Sequence, residues 1–476
     1  MKVLLSILLL AGGVMGSHAA MAEATLPDGA ANVICSYSHT LPDDPILYPG
    51  KPGIAMSHDF FGNTTANGNS TGASLLANPT STCENVADAT AYWAPSLRLA
   101  DGTIVKPDYQ KTYYTNQAAP SNNRYPVNAF PSGIQMLAGN HMGTAPNPNV
   151  TFLCTGGTGY SNSVPNNCVP DPTTGTQLNI GISFPTCWDG INLAPMVMMG
   201  GPNNIAYANS SGACPAGYPV RIPHISFNVA YKTGAVTDFT NAQLSLDPEV
   251  DAQGNVVQLK WGSMYTAHAD FFNAWKASAA QFMADYCMNK AKVCNKEVAY
   301  NYSESNADAT VTGGDAHATN FGSATTLVAQ NAGAGYPQSN NYMRFAIPTG
   351  ASDFPANFKP TYKLMIYGGN SINTNAQMMY FYTTSNSWDE NSITMDNAPA
   401  CGTSGTSAGQ LYLDNAQQYR TVDVTKVVQS AISAGQTSIS LCMKDGTNNN
   451  DAFTFSSKEG ANKPVLYLIS VNPLGV

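Results

Sequence analysis

The chain has 476 residues, of which only 11% are charged, and its formal net charge of −9 comes without any basic cluster. That balance makes nucleic acid and anionic membrane surfaces poor partners. The length exceeds one ordinary core, so two domains are expected, and a composition rich in Asn, Thr, Ser, Gly and Tyr suits a mainly β protein made for the outside of a cell.

Residues 1–22 read as a secretory signal peptide. Met1-Lys2 is a short basic start, Val3 to Met15 is an apolar run, and Ala20-Met21-Ala22 offers small residues for cleavage before Glu23. The competing reading is a membrane anchor, but a spanning helix needs ~20 apolar residues and this run is shorter. No later stretch is apolar enough to span a bilayer, so no integral membrane segment is expected. All ten cysteines follow the leader. An even number in an exported chain implies disulfides, and the absence of C-x-x-C argues against zinc or redox motifs. Connectivity is not fixed by sequence. Sequential pairing is the expectation: Cys35–Cys83, Cys154–Cys168, Cys187–Cys214, Cys287–Cys294 and Cys401–Cys442. The last two are the only cysteines of the C-terminal third.

From Asn32 to Val229 short β-like runs alternate with polar loops, punctuated at Asn122-Asn123, Asn147-Pro148-Asn149, Thr155-Gly156-Gly157 and Gly201 to Asn204. Phe271, Phe272, Trp275, Ala279, Phe282, Met283 and Tyr286 recur at offsets that predict one amphipathic helix from Asp270 to Asn289. Its stripe reads as core, and Cys287 and Cys294 would clip its end. The first domain is placed at 23–297, a linker at 298–305 and a second domain at 306–476. In the latter, strands are predicted at Met343–Ile347, Tyr362–Tyr367, Met378–Tyr382, Arg420–Val424, Ser438–Met443, Phe453–Ser456 and Val465–Ser470. One helix is predicted at Val424–Ala434. The fold class is therefore mainly β: an irregular, disulfide-stapled β-rich domain with one long helix, followed by a β-sandwich of jelly-roll type.

The C-terminal third carries an ordered set of motifs: Asp308-Ala309-Thr310-Val311, Asn320-Phe321-Gly322, Met343-Arg344-Phe345, Ser387-Trp388-Asp389 within the turn from Thr384, Val422-Asp423-Val424-Thr425, and Phe453 to Glu459 before Pro464-Val465-Leu466-Tyr467-Leu468. On these it resembles the DNRLRE-type domains, grouped as carbohydrate-binding module family 96. The resemblance implies a jelly-roll sandwich that binds polysaccharide, acidic glycans included. Pyranose rings have apolar faces and hydrogen-bonding edges. Trp388, Tyr380, Tyr382 and Tyr367 could supply faces, and Asn370, Asn373 and Asn375 could supply edges. The competing reading sends the tyrosines into the sandwich core. Some such sandwiches hold a structural calcium, for which Asp308 and Asp423 are candidates.

The N-terminal domain has its own motifs. They include Asp44-Pro45-Ile46-Leu47-Tyr48-Pro49-Gly50, Ser57-His58-Asp59-Phe60-Phe61-Gly62-Asn63, Ala91-Tyr92-Trp93-Ala94-Pro95, Phe184-Pro185-Thr186-Cys187-Trp188-Asp189-Gly190 and His268-Ala269-Asp270-Phe271-Phe272. Over residues 32–290 it is similar to a secreted domain of unknown function numbered nineteen-ninety-six. That resemblance implies no settled activity. Within the motifs, His58, Asp59, Asp189, His268 and Asp270 sit among apolar neighbours, where charge is costly unless paired. Two chemistries fit them. One is a divalent metal held by His58, His268 and a carboxylate. The other is acid–base cleavage of a glycosidic bond by two of Asp59, Asp189 and Asp270. The competing reading is structural, with His–Asp hydrogen bonds stapling loops. The family pattern leads one to expect further histidines where this chain has Met56, Gly201 to Asn204 and Tyr218.

Three functions follow in order: an exported polysaccharide-binding protein of the extracellular space, periplasm or cell surface; an extracellular carbohydrate-active enzyme targeted by its C-terminal module; a structural adhesin. Nucleotide, hydrolase-elbow and zinc-protease motifs are missing. The oligomeric state is not encoded in any motif.

Overall fold

A computed structural model describes residues 25–253, 255–333, 336–371, 377–402, 407–446 and 452–471. The expected leader at 1–22 and the expected ligands Asn373 and Asn375 lie outside the described residues.

The N-terminal part is built on one antiparallel sheet. Its main strands are β1 (Ala30–Leu41), β2 (His58–Gly62), β3 (Ala91–Pro95), β4 (Tyr109–Thr115), β5 (Gln135–Gly139), β6 (Val150–Cys154), β7 (Gln177–Ser183) and β8 (His224–Lys232). A hairpin of β9 (Gln243–Val250) and β10 (Val256–Ser263) follows, and β11 (His268–Phe272) returns to the sheet. The order across it is β5-β11-β3-β2-β1-β4-β8-β7-β6. Strand β1 belongs to both halves: Ala30 to Ser36 pair with β4, and Tyr37 to Leu41 pair with β2. The sheet folds over there. Phe227 of β8 meets Phe61 of β2 at 6.2 Å and Tyr92 of β3 at 6.1 Å between ring centroids, although the strands are not neighbours in the order.

Every residue of β2, β3 and β11 is buried. Antiparallel strands usually present one face to water. Here the second face is roofed by the loop around Ile46 and by the helix Gly72–Ala77, which pack Ile46 and Leu75 on Phe60, Trp93 and Phe272. Charged groups on these strands are therefore sealed from solvent. Gly139 ends β5 at φ +91°, and a Cβ there would stand 2.4 Å from the Ala267 carbonyl. Glycine is what lets β5 close on His268.

The predicted helix begins later than its periodicity suggested. Phe271 and Phe272 are strand residues, paired on both sides with β3 and β5. Helix runs only from Ala277 to Phe282 and widens into a π-helical turn over Met283–Met288. Two flanking strands outcompete local helical pattern over Asp270–Phe272. The rest of the stripe, Ala279, Phe282, Met283 and Tyr286, is core as expected. The five disulfides join Cys35–Cys83, Cys154–Cys168, Cys187–Cys214, Cys287–Cys294 and Cys401–Cys442.

The C-terminal part is a second antiparallel sandwich. Its strands are β12 (Asn301–Glu304), β13 (Ala307–Thr312), β14 (Thr326–Gln330), β15 (Ser339–Ala346), β16 (Thr361–Asn370), β17 (Gln377–Thr384), β18 (Gly409–Leu413), β19 (Gln418–Asp423), β20 (Ser438–Asp445), β21 (Ala452–Ser456) and β22 (Val465–Ile469). They run in the order β12-β22-β16-β21-β14-β15-β20-β17-β18, with β13 on β15 and β19 on β16. Leu364, Ile366 and Leu466 from one layer pack on Phe345, Leu441 and Phe381 from the other. The predicted helix is present at Thr425–Ser433.

The segment 298–305, read from sequence as a linker, holds strand β12, paired with β22. Val298 and Ala299 just before it are fully buried. The N-terminal core continues into Met365, Val465, Tyr467 and Ile469 of the second sandwich. Phe282 meets Tyr467 at 5.2 Å, and the Tyr286 hydroxyl donates to Glu304 at 2.6 Å.

Candidate functional site

Strand alternation decides which polar side chains meet. On β2, His58 and Phe60 face the roofed side; on β11, His268, Asp270 and Phe272 do the same. His58 lies opposite Pro95, Asp270 lies opposite Trp93, and Gly139 flanks His268. The two imidazoles thus meet across β3, with ring centres 5.9 Å apart. One donor atom from each of His58, His268 and Asp270 lies within 4.8 Å of the others.

Hydrogen bonds orient both rings. His58 Nδ1 bonds the Asp43 carbonyl at 2.9 Å, and His268 Nδ1 bonds the Thr266 carbonyl at 2.9 Å. A carbonyl only accepts, so each Nδ1 carries the proton and each Nε2 keeps its lone pair. His58 Nε2, Asp270 Oδ2 and Trp93 Nε1 are buried without a hydrogen-bond partner in the protein. Burial lowers His58 to about 4, against the pull of the Asp43 carbonyl. Burial, then His58 itself, lowers His268 to about 3. Burial pushes the Asp270 carboxyl well above the usual range, and Asp44 and Asp247 add to the shift.

Loops and the β9 strand bring in further residues. Asp44, raised to about 6 chiefly by burial, caps the turn at Ile46 and Leu47 with bonds of 2.8 and 2.9 Å. Asp247 accepts from the Tyr48 hydroxyl at 3.0 Å and from the Met56 amide at 3.2 Å. His141 lies at the exposed rim, 6.2 Å from His268 between ring centres. Among the described residues no lysine or arginine makes an ion pair with Asp44, Asp247 or Asp270.

Two expected members stand apart. Asp59 points to the opposite face of β2, where the Thr40 hydroxyl donates to it at 2.6 Å, and burial raises it to about 6. Period-two alternation forbids it from joining His58. Asp189 caps its own turn: it accepts from the Ile191 and Asn192 amides at 2.8 and 2.9 Å and from the Asn192 side chain at 2.7 Å. Partial desolvation opposes those bonds, which still leave its carboxyl below the usual value. At the positions where further histidines were expected, the Tyr218 hydroxyl bonds the Asn203 carbonyl at 2.8 Å, far along the chain fold from β2.

In the C-terminal sandwich Tyr380 and Tyr382 sit on one face of β17, 6.4 Å apart. They line a cleft of about 510 Å³ with Asn331, Gln338, Lys444 and Asp445. The Lys444 ammonium lies 5.0 Å above the Tyr382 ring. Trp388 is engaged elsewhere: its indole donates to Ser440 at 3.0 Å and the Arg344 guanidinium stacks on it at 5.0 Å. Asn370 is buried at the end of β16, opposite Phe453.

The expected calcium candidates also separate. Asp423 is exposed and accepts from the Thr425 amide at 2.8 Å, just ahead of the following helix. Asp308 is instead joined by Glu390 and Glu459, with one oxygen of each within 4.8 Å of the others. Lys458 serves this trio: its amide donates to Asp308 at 2.8 Å, and its ammonium pairs with Glu390 at 3.1 Å and with Glu459.

Comparison with known proteins assigns both halves. Residues 44–275 match the family model described as a domain of unknown function (DUF1996). Residues 299–470 match the family model described as carbohydrate-binding module family 96. No curated protein matches the chain.

Proposed function

We propose that the protein is exported and holds a polysaccharide in the cleft between Tyr380, Tyr382, Lys444, Asn331 and Gln338. The observation that carries this reading is the cleft itself, where aromatic rings and amide edges meet a cation in a module of a carbohydrate-binding family. Ring faces suit sugar C–H surfaces, and the amides with the Lys444 ammonium and the Asp445 carboxylate offer hydrogen-bonding edges for hydroxyls. Five disulfides agree with an oxidising compartment. Among the described residues no helix is long and apolar enough to cross a membrane.

Retention of the full chain in native gels cast with alginate, pectate, xylan or cellulose tests the reading. Retention on at least one of these glycans, weakened by Tyr380→Ala, is the expected result. Free migration in every gel sinks it and leaves the adhesin as the better account.

A second reading, a carbohydrate-active enzyme with its catalytic residues in the N-terminal domain, is favoured by the His58–His268–Asp270 cluster. It requires release of reducing ends or unsaturated sugars from the retained glycan, lost in Asp270→Asn.

A further inference from the structure

We propose that His58, His268 and Asp270 bind a first-row divalent transition ion through two imidazole Nε2 atoms and a carboxylate oxygen. The inference is independent of the glycan reading, because it concerns a different domain and a different chemistry.

Geometry carries it. Three donors from two strands converge within 4.8 Å, and the flanking strand β3 holds the imidazoles at 5.9 Å. Both Nδ1 atoms are committed to backbone carbonyls at 2.9 Å, which fixes ring orientation and leaves Nε2 as the donor. Histidine ligands are held in this way at metal sites generally. His58 is wholly buried and Asp270 is 2% exposed, yet His58 Nε2 and Asp270 Oδ2 have no partner in the protein. Buried polar atoms without partners are rare and costly, and a ligand that satisfies them together accounts for both.

The donor set selects the ion. Calcium and magnesium prefer all-oxygen sites, whereas two imidazoles with one carboxylate suit zinc, iron, manganese or copper. Asp44 and Asp247 supply negative charge nearby, and among the described residues no lysine or arginine makes an ion pair with them or with Asp270. The acidic trio at Asp308 lacks that condition, since Lys458 already bridges Glu390 and Glu459. Three protein ligands leave further coordination positions open, as in sites that bind water or substrate. The exposed His141 ring lies 6.2 Å from the His268 ring.

The test loads the full chain, stripped with a chelator, with Zn²⁺ and separately with Cu²⁺. One ion per chain is expected by elemental analysis, with affinity falling about tenfold or more in both Asp270→Asn and His268→Gln. Less than that fall in both variants, or no uptake by the unmutated chain, overturns the proposal. If a variant does not fold, the Cu²⁺ spectrum of the unmutated chain decides. Electron paramagnetic resonance showing two imidazole nitrogens supports the site; a spectrum with oxygen donors alone overturns it. Uptake of Ca²⁺ but not Zn²⁺ overturns it as well.

Discussion

Two polar clusters converge in the two parts of the chain, one sealed and one at the surface around the buried Asp308, and they meet the same electrostatic problem differently. Asp308, Glu390 and Glu459 converge in the C-terminal sandwich, and the chain brings its own cation: Lys458 pairs with both glutamates and its amide serves the aspartate. His58, His268 and Asp270 converge in the N-terminal part, and the carboxyls of Asp44 and Asp247 act on Asp270 there. A cluster that includes its counter-charge is complete as a structural staple. A cluster that gathers donors and acidic neighbours without one among the described residues is what the proposed metal ion would complete. Acidic residues in proximity mean little until their counter-ion has been sought.

The sharpest way to break that contrast is to remove the resident cation. Lys458→Met leaves the carboxylates beside Asp308 uncompensated, at a cost of roughly 0.2–1 kcal/mol per lost pair at neutral pH. Calcium should then recover part of the lost melting temperature, since the trio has become an all-oxygen site. An unchanged melting temperature would show that Lys458 is not the counter-charge.

The pH dependence gives the same comparison a sign. Burial, then Glu459 and Glu390, raises Asp308 from 3.8 to about 7. The folded chain therefore holds a proton that the unfolded chain has released between those values. This contribution to stability is complete below about pH 3.8 and is lost as pH rises to about 7. Asp308→Asn should flatten that part of a melting-temperature profile; an unaltered profile removes Asp308 from the account.

On the other side, Zn²⁺ at a hundredfold excess over its dissociation constant should stabilise the chain by about 2.7 kcal/mol. Asp270→Asn should cut that gain to about 1.4 kcal/mol or less, as a site at least tenfold weaker requires. A gain of the same size in the variant would make the two clusters equivalent. The smallest effect is expected in the cleft: Tyr380→Ala should weaken glycan retention by about 0.5–1.5 kcal/mol, leaving the melting temperature within error. A variant that binds as before places the sugar on another face.

Much of this was legible in the residues. Alternating apolar patterns marked the strands from Met343 to Ser470, and even cysteine number marked an oxidised chain. The His58 and His268 pairing was readable because both lie in motifs where polar residues interrupt aromatic runs. Asp59 could have been excluded by alternation alone, and Asp189 by its position two residues ahead of a turn amide. What sequence could not deliver were partners supplied by loops and distant strands. Glu390 reaches the Asp308 amide over a sequence separation of 82, and Lys458 reaches its carboxylate over 150. Asp247 meets Tyr48 over 199. No local period carries such information. The helix expected from Asp270 erred for the same reason, since pairing with β3 and β5 is non-local.

Strand β12 and the aromatic contact between Phe282 and Tyr467 have one more consequence. Relatedness draws its border near residue 299, but the hydrophobic interior ignores that border. Cutting the chain there would strip Tyr467, Met365 and Ile469 of their cover, so the inherited unit and the unit that melts are different objects. A swollen, sticky fragment is the expected product of such a cut, whereas the intact chain should unfold in a single cooperative step.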